Sequence, residues 1–196
     1  MHPRHTAIIL AAGMGRRMGG PKAMMRVRGE PWWRVQRGAL AAAGIPALWV
    51  TSERVEAELR ASGFEGPSAT ADETAPMLTS LCAAVRSLAA HPPAGVYVLP
   101  VDVPVPAPAV WIALGGDRIA VPVHGGRHGH PVYLPWPWVI ETLPRAESGG
   151  GRLDELIRNL AAEVIVDDPR VRMNLNTPEA RAAYEAWLMS SERHTA

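Results

Sequence analysis

Ala7-Ile8-Ile9-Leu10-Ala11-Ala12-Gly13-Met14-Gly15-Arg16-Arg17-Met18-Gly19-Gly20-Pro21-Lys22 decides how the rest of the chain is read. Ala7–Ala11 is an apolar, β-rich run that stops abruptly in a loop carrying spaced glycines, two arginines and a lysine. A buried strand feeding such a loop leaves several backbone N–H groups pointing one way with cations beside them. That arrangement suits a polyphosphate.

Outward from this stretch, strand and helix character alternate. Pro31–Ala43 is helical in composition, with Pro31 suited to the first turn and Gly44 to the C-terminal stop. Ala47–Thr51 is a second apolar run, and Glu53–Ala61 a charged helix with Glu56 and Arg60 at i,i+4 spacing. Leu78–Ala90 is an apolar helix ended by His91-Pro92-Pro93. Val96–Val101 is nearly continuous in apolar residues, as in a strand buried on both faces of a parallel sheet. This order predicts an open α/β sheet with right-handed crossovers, which binds ligands at the carboxyl ends of its strands. Both the Gly13–Lys22 loop and Asp102 fall at those ends.

The second half is less regular. Arg118–Val123 and His130–Leu134 read as strands around a Gly125-Gly126 turn, a hairpin with an exposed loop. Gly149-Gly150-Gly151 precedes a helical stretch, Leu153–Ala162, and Glu163–Val166 reads as a strand. Thr177-Pro178-Glu179 opens the last helix with a threonine N-cap, a proline at N1 and an acid in the first turn. The Pro100–Pro108 run is compositionally biased, and no internal repeat is visible.

At 196 residues the chain predicts a single domain. Apolar residues at 47% and charged residues at 20% fit a globular protein and exclude a disordered one. A formal net charge of +1 gives no overall field toward nucleic acid or an anionic membrane, so phosphate binding has to be local. The single cysteine, Cys82, excludes an internal disulfide and sits in an apolar run, as a buried inert thiol does. The weakly basic Met1–Arg4 and the apolar run after it superficially resemble a signal peptide. Arg16, Arg17 and Lys22 follow at once, however, so a first core strand is the better reading. No run approaches the roughly 18 apolar residues of a membrane span. The expectation is a cytoplasmic protein with no nucleic-acid or membrane partner.

The glycine loop is neither of the common phosphate motifs. Gly15 and Gly20 have the Walker A gap, but Pro21 precedes Lys22, and Ala23 stands where a magnesium-binding hydroxyl belongs. Glycines at 13, 15 and 19 miss the dinucleotide spacing. His124, His128 and His130 lie close together, yet with no cysteine nearby they lack the spacing of a structural zinc site. They read as loop histidines that touch an anion or solvent. Trp136 and Trp138 read either as the wall of a pocket for a flat group or as packing under the hairpin.

The segment Leu10-Ala11-Ala12-Gly13-x-Gly15-x-Arg17-Met18-Gly19-x-Pro21-Lys22 resembles the signature loop of the MobA-like nucleotidyltransferases, a family that includes the molybdenum cofactor cytidylyltransferases and guanylyltransferases. Further motifs follow in order along nearly the whole chain. Met77-Leu78-Thr79-Ser80-Leu81 resembles the base-proximal helix start. Val101-Asp102-Val103-Pro104 resembles the metal-binding aspartate motif, and Gly129-His130-Pro131-Val132 the motif ahead of the acceptor-side strand. Gly149–Leu156 resembles a glycine-basic segment. Val166-Asp167-Asp168-Pro169 and Asn174-x-Asn176-Thr177-Pro178-Glu179 resemble the closing signature. The resemblance implies a three-layer α/β/α, Rossmann-like, mostly parallel sheet of the nucleotide-diphospho-sugar transferase type. It also implies a nucleotide-binding half over 1–104 and an acceptor-binding half over 105–196.

It further implies Mg²⁺-dependent transfer of a nucleoside monophosphate to a phosphorylated acceptor such as molybdopterin, with release of pyrophosphate. Lys22, Arg17 and Asp102 would be the catalytic residues. Leu10, Ala11, Ala12, Gly13, Gly15, Arg16, Lys22, Thr79 and Ser80 would hold the nucleotide. Asp102 and Asn176 would hold the metal, with His130 and Arg152 on the acceptor side. Many cytidylyltransferases of this type carry Asp where Asn176 stands, whereas the guanylyltransferase branch has an Asn-x-Asn version. By the same resemblance Leu-Ala-Ala-Gly at 10–13 favours CTP, the methyl of Ala12 leaving less room for a purine, while Leu78 replaces a small residue and could reshape the base pocket. Two alternatives stay open: a sister transferase using GTP or another triphosphate, or a sugar or polyol phosphate acceptor; and a non-catalytic nucleotide-binding regulatory protein. A delivery partner protein also stays open.

Overall fold

Ile8 and Ile9 are both fully buried. Neighbouring residues of a strand point to opposite faces of a sheet, so this strand must be covered on both sides. The computed structural model, which describes residues 5–13, 15 and 19–195, shows how. The first half runs β1 (Thr6–Leu10), a 3-10 turn (Lys22–Met24), β2 (Arg26–Val27), β3 (Glu30–Pro31), α1 (Trp32–Ala42), β4 (Ala47–Thr51), α2 (Glu53–Ala61), β5 (Ser68–Thr70), α3 (Met77–Leu88) and β6 (Gly95–Pro100). The second half runs α4 (Pro108–Leu114), β7 (Ala120–His124), β8 (Arg127–His128), β9 (Val132–Pro135), α5 (Trp136–Ser148), α6 (Leu153–Ile157), β10 (Ala162–Ile165), a 3-10 turn (Pro169–Arg172) and α7 (Pro178–Thr195).

The main sheet has the order β10-β7-β9-β6-β1-β4-β5, with β8 attached to β7. β1 pairs in parallel with β4 and β6, β4 with β5, and β7 with β10. β9 alone on this path runs antiparallel to both its neighbours, β6 and β7. Ala7, Ile9, Trp49 and Leu99 face one layer with α1, α2, α4 and α7, through Trp32, Leu59, Trp111 and Tyr184. Ile8, Val50, Val98 and Leu134 face the other with α3, α5 and α6, through Leu81, Val139 and Ile157. The result is the expected three-layer α/β/α arrangement. Caps agree with the sequence: Ser52 accepts from the Val55 N–H at the start of α2, and Thr177 from the Ala180 N–H at the start of α7.

Three expectations need correction. Across Gly125-Gly126 β7 pairs antiparallel first with the two-residue β8 and then, after a break, with β9 where Ala120 lies opposite Tyr133, so the expected hairpin forms but its second arm is interrupted. Val132–Pro135 is buried at every position, so it cannot lie at an exposed edge and inserts between β6 and β7 instead. Two helices missed in the sequence, α4 and α5, both open at prolines, Pro108 and Trp136-Pro137. Proline in a first turn is compatible with a helix, but the Pro-rich context masks the pattern. α6 ends at Ile157, short of Ala162, because Ala162 is claimed by the sheet through its N–H to the Ile119 carbonyl.

Candidate active site

Asp102 follows β6, and the turn that carries it is held on every side. The Val101 N–H donates to the Leu10 carbonyl at 3.1 Å, tying this turn to the end of β1. From α1, the Trp32 indole N–H donates to the Val101 carbonyl at 2.6 Å. The Gln36 amide donates to the carbonyls of Val101 and Val103, at 3.2 and 2.9 Å. The Leu175 N–H donates to the carbonyl of Asp102 itself at 2.8 Å. These bonds are made to the backbone, so the turn is fixed while the carboxylate stays available for a cation.

That carboxylate meets Lys22. Pro21 leads into the 3-10 turn, closed by Met24 N–H to Pro21 O at 2.9 Å, and Ala23 anchors it in the core. Lys22 Nζ lies 2.7 Å from Asp102 Oδ2 and also donates to Asn176 Oδ1. Asn176 comes from the segment before α7, where buried Leu175 anchors the chain, turning Asn176 into the site while Asn174 is exposed. Residues separated by 80 and 154 positions therefore converge on one ammonium group.

His130 flanks the same carboxylate. Its N–H donates to the Val171 carbonyl at 2.7 Å, and Gly129 passes so close to that carbonyl that a Cβ there would collide with it. Burial holds the imidazole below its ordinary pKa, opposed by the Asp102 charge and the Val98 carbonyl. Its Nδ1 is buried with no hydrogen-bond partner. Asp168, also buried, braces this side by accepting from the Ala107 N–H at 2.7 Å and from the Arg170 side chain at 2.9 Å.

The other expected residues are distributed as follows. Leu10, Ala11, Ala12 and Gly13 lie at or just beyond the end of β1. Gly15 has φ 60°, and a Cβ on it would strike the Gly20 carbonyl. Arg16 and Arg17 lie outside the described residues. Thr79 and buried Ser80 lie in the first turn of α3. Beside this edge, at the carboxyl ends of β4 and β5, is a cavity of about 510 Å³ lined by Ser52, Arg54, Thr70, Asp72 and Glu73 among others. Arg152 is exposed and pairs with Asp154, so it is not brought to Lys22 or Asp102.

The histidine cluster does not assemble. His124 contacts the Val166 carbonyl and His128 pairs with Glu163, while only His130 turns to Asp102. Trp136 and Trp138 are no part of this site: β9 runs opposite to β6, Pro135 is level with Gly95, and the tryptophans start α5 at the far end of the sheet. Leu78 is 3% exposed and packs in the same buried cluster as Ala12 and Ala71. Sequence reading missed Trp32 and Gln36, and placed Asp168 in the closing signature without giving it a role. Of these only Gln36 leaves a signal, a polar residue on the apolar stripe of a helix.

Among the described residues no cluster of three His, Cys, Asp or Glu side chains could hold a metal ion. Asp102 and Asn176 nevertheless offer two converging hard oxygens that already share one cation, the Lys22 ammonium. This donor set fits Mg²⁺ or Mn²⁺, which take one or two protein oxygens and complete their shell with substrate phosphates and water.

The model of the MobA-like NTP transferase domain matches residues 7–164. A molybdenum cofactor guanylyltransferase from Cereibacter sphaeroides is 32% identical over 92% of this chain and 95% of its own length. Among solved structures, molybdopterin-guanine dinucleotide biosynthesis protein A from Archaeoglobus fulgidus superposes with a TM-score of 0.72 at 21% identity, over 94% of this chain and 99% of that one. A Mycobacterium tuberculosis protein, Rv0371c, solved in complex with manganese, gives 0.71 at 21% identity over 92% and 97%. With the family model matched over residues 7–164 and a relative 32% identical over 92% of the chain, on a fold whose strand ends bring Lys22, Asp102 and Asn176 together, this chain belongs to the MobA-like NTP transferase family and is a nucleotidyltransferase.

Proposed function

We propose that the protein transfers the guanylyl group of GTP to the phosphate of a molybdopterin-type acceptor. The convergence of Lys22, Asp102 and Asn176 at the carboxyl ends of β1 and β6 carries the reading. The nucleotide assignment departs from the cytidine expectation for two reasons. The curated relatives are named guanylyltransferases. Ala12 is buried within the core cluster, which favours its methyl packing inward over narrowing the nucleotide side. The cavity at β4 and β5 is a suitable place for the base, and its Asp72 and Glu73 carboxylates suit an edge of hydrogen-bond donors. Guanine offers N1–H and N2–H₂ there, whereas cytosine offers mainly acceptors.

An anionic acceptor oxygen attacks the α-phosphorus, the bond from that phosphorus to the bridging oxygen of the β-phosphate breaks, and pyrophosphate leaves carrying its charge. An acceptor phosphate is already ionised at neutral pH, so no general base is needed, and positioning and cations do most of the work. Backbone N–H groups of the glycine loop would hold the β- and γ-phosphates, with Arg17 and Arg16 beside them. Lys22 would neutralise charge at the α-phosphoryl group. Asp102 and Asn176 would hold a divalent cation, which when bound supplies Lewis-acid stabilisation of the phosphate oxygens. His130, with its free Nδ1, would face the acceptor.

Pyrophosphate release is measured with Mg²⁺, each triphosphate in turn and molybdopterin. Release is expected with GTP, at least 100-fold faster than with CTP, and abolished in Lys22→Ala and Asp102→Ala. Faster release with CTP would reverse the nucleotide assignment. Tight binding of GTP with no turnover would make the protein a regulatory nucleotide binder.

A further inference from the structure

Lys22 holds both oxygens that a divalent cation would need. Its Nζ is 2.7 Å from Asp102 Oδ2 and is hydrogen-bonded to Asn176 Oδ1. The pair brings a single negative charge, because Asn176 is neutral. An ammonium and a divalent cation on the same two oxygens would be a few ångströms apart and would repel strongly in this partly buried setting.

One of the partners must therefore move, and the structure distinguishes them. The Asp102 turn is fixed by Trp32, Gln36, Leu10 and Leu175, and Asn176 by the buried Leu175 beside it. Lys22 has a pinned backbone but a flexible four-carbon stem, and its side chain is 27% exposed. It is the mobile charge of the three.

We propose that Lys22 is an internal competitor of the divalent cation: it occupies the Asp102–Asn176 oxygens in the free protein and yields them when nucleotide phosphates draw its ammonium away. The inference rests on the metal-holding role proposed above for Asp102 and Asn176. Its consequence is an order of loading. The cation binds weakly to the free protein and tightly together with the nucleotide, and by linkage each raises the affinity of the other. An idle site thus keeps its carboxylate compensated without holding a metal.

The test measures Mn²⁺ binding directly, from the electron paramagnetic resonance signal of free Mn²⁺, in the absence of nucleotide. Lys22→Met, which keeps length and loses charge, is expected to bind Mn²⁺ at least about 10-fold more tightly than the unmodified protein. Lys22→Arg should remain as weak as the unmodified protein, and the double variant Lys22→Met/Asp102→Asn should lose the gain. Far-UV circular dichroism checks that each variant folds, with Lys22→Gln as a second neutral replacement. No gain in Lys22→Met and Lys22→Gln, or a gain that survives loss of the Asp102 charge, overturns the competition. Mn²⁺ retention by the protein in equilibrium dialysis with GTP, corrected for the Mn²⁺ that GTP binds by itself, separates the two levels. If Asp102→Asn binds there as well as the unmodified protein, the metal-holding role itself falls. If it binds poorly while the neutral Lys22 variants show no gain, only the competition falls.

Discussion

Cys82 shows how a single side chain follows from its surroundings. It sits in α3 against α5, its Sγ–H directed to the Leu143 carbonyl, and is 3% exposed. Burial, then the neighbouring Glu147 charge, push the thiol from 9.0 up to about 12. The thiol is an acid whose folded value lies above its unfolded one. The folded state therefore holds the proton more strongly, and the stability this contributes is complete below about pH 9 and lost as pH rises toward 12. Tyr97, Tyr133 and Tyr184 are raised by burial as well and share the alkaline loss. Two outcomes are expected: the native protein does not react with a thiol-disulfide reagent at pH 8, and in urea titrations the stability gap between the unmodified protein and Cys82→Ala narrows from pH 8 to pH 11. A constant gap would show that the thiol's charge plays no part. The apolar run Leu81–Val85 made the inertness of this thiol legible, since the run itself supplies the low-dielectric surroundings.

At the scale of elements, the segment from Asp168 to Asn176 is a strap across the site. Asp168 accepts from the Ala107 N–H, the Arg170 N–H and the Arg170 guanidinium, which also stacks over Trp187 of α7 at 5.4 Å. Farther along the strap, the Val171 carbonyl receives the His130 N–H and the Leu175 N–H reaches the Asp102 carbonyl. One buried carboxylate thus supports three contributors to the site. Asp168→Ala strands the Arg170 charge and two N–H groups, which costs about 3 kcal/mol for a pair as buried as this. Thermal melting should fall by roughly 6–12 °C for a chain of this size. A fall of less than about 2 °C would mean the strap is held by its backbone bonds alone. Asp168 was legible only as a member of the closing signature, with no role attached. Its partner Ala107 is remote in the chain, as is the Trp187 ring under Arg170, and nothing in local pattern names them. Lys22, Asp102 and Asn176 were legible because each sits inside a motif, whereas Gln36 and Trp32 work through an element whose apolar stripe hides them.

For the whole molecule, the legible part was the regular βαβ half, where each strand is a short apolar run and each helix has its stop. The illegible part was β9, because its place between β6 and β7 depends on strands far away, and a four-residue apolar run looks the same at an edge or in the middle. That insertion makes the two halves one sheet. β6 has β1 on one side and β9 on the other, α3 packs on α5, and Tyr184 of α7 lies edge-on to Trp32 of α1 with ring centroids 5.7 Å apart. Residues 1–104 alone would expose Val96 and Val98 along an unpaired edge of β6 and leave Trp32 without its cover. We therefore expect the chain to unfold as one domain. Urea transitions followed by tryptophan fluorescence and by far-UV circular dichroism should coincide, and the 1–104 fragment should show no cooperative transition of its own. Two resolved transitions, or a fragment that melts cooperatively, would mean that the halves are separate folding units. The site would then be assembled by docking, since Lys22 and Asp102 come from one half and His130 and Asn176 from the other. With one cooperative sheet, the site exists only when the whole chain is folded.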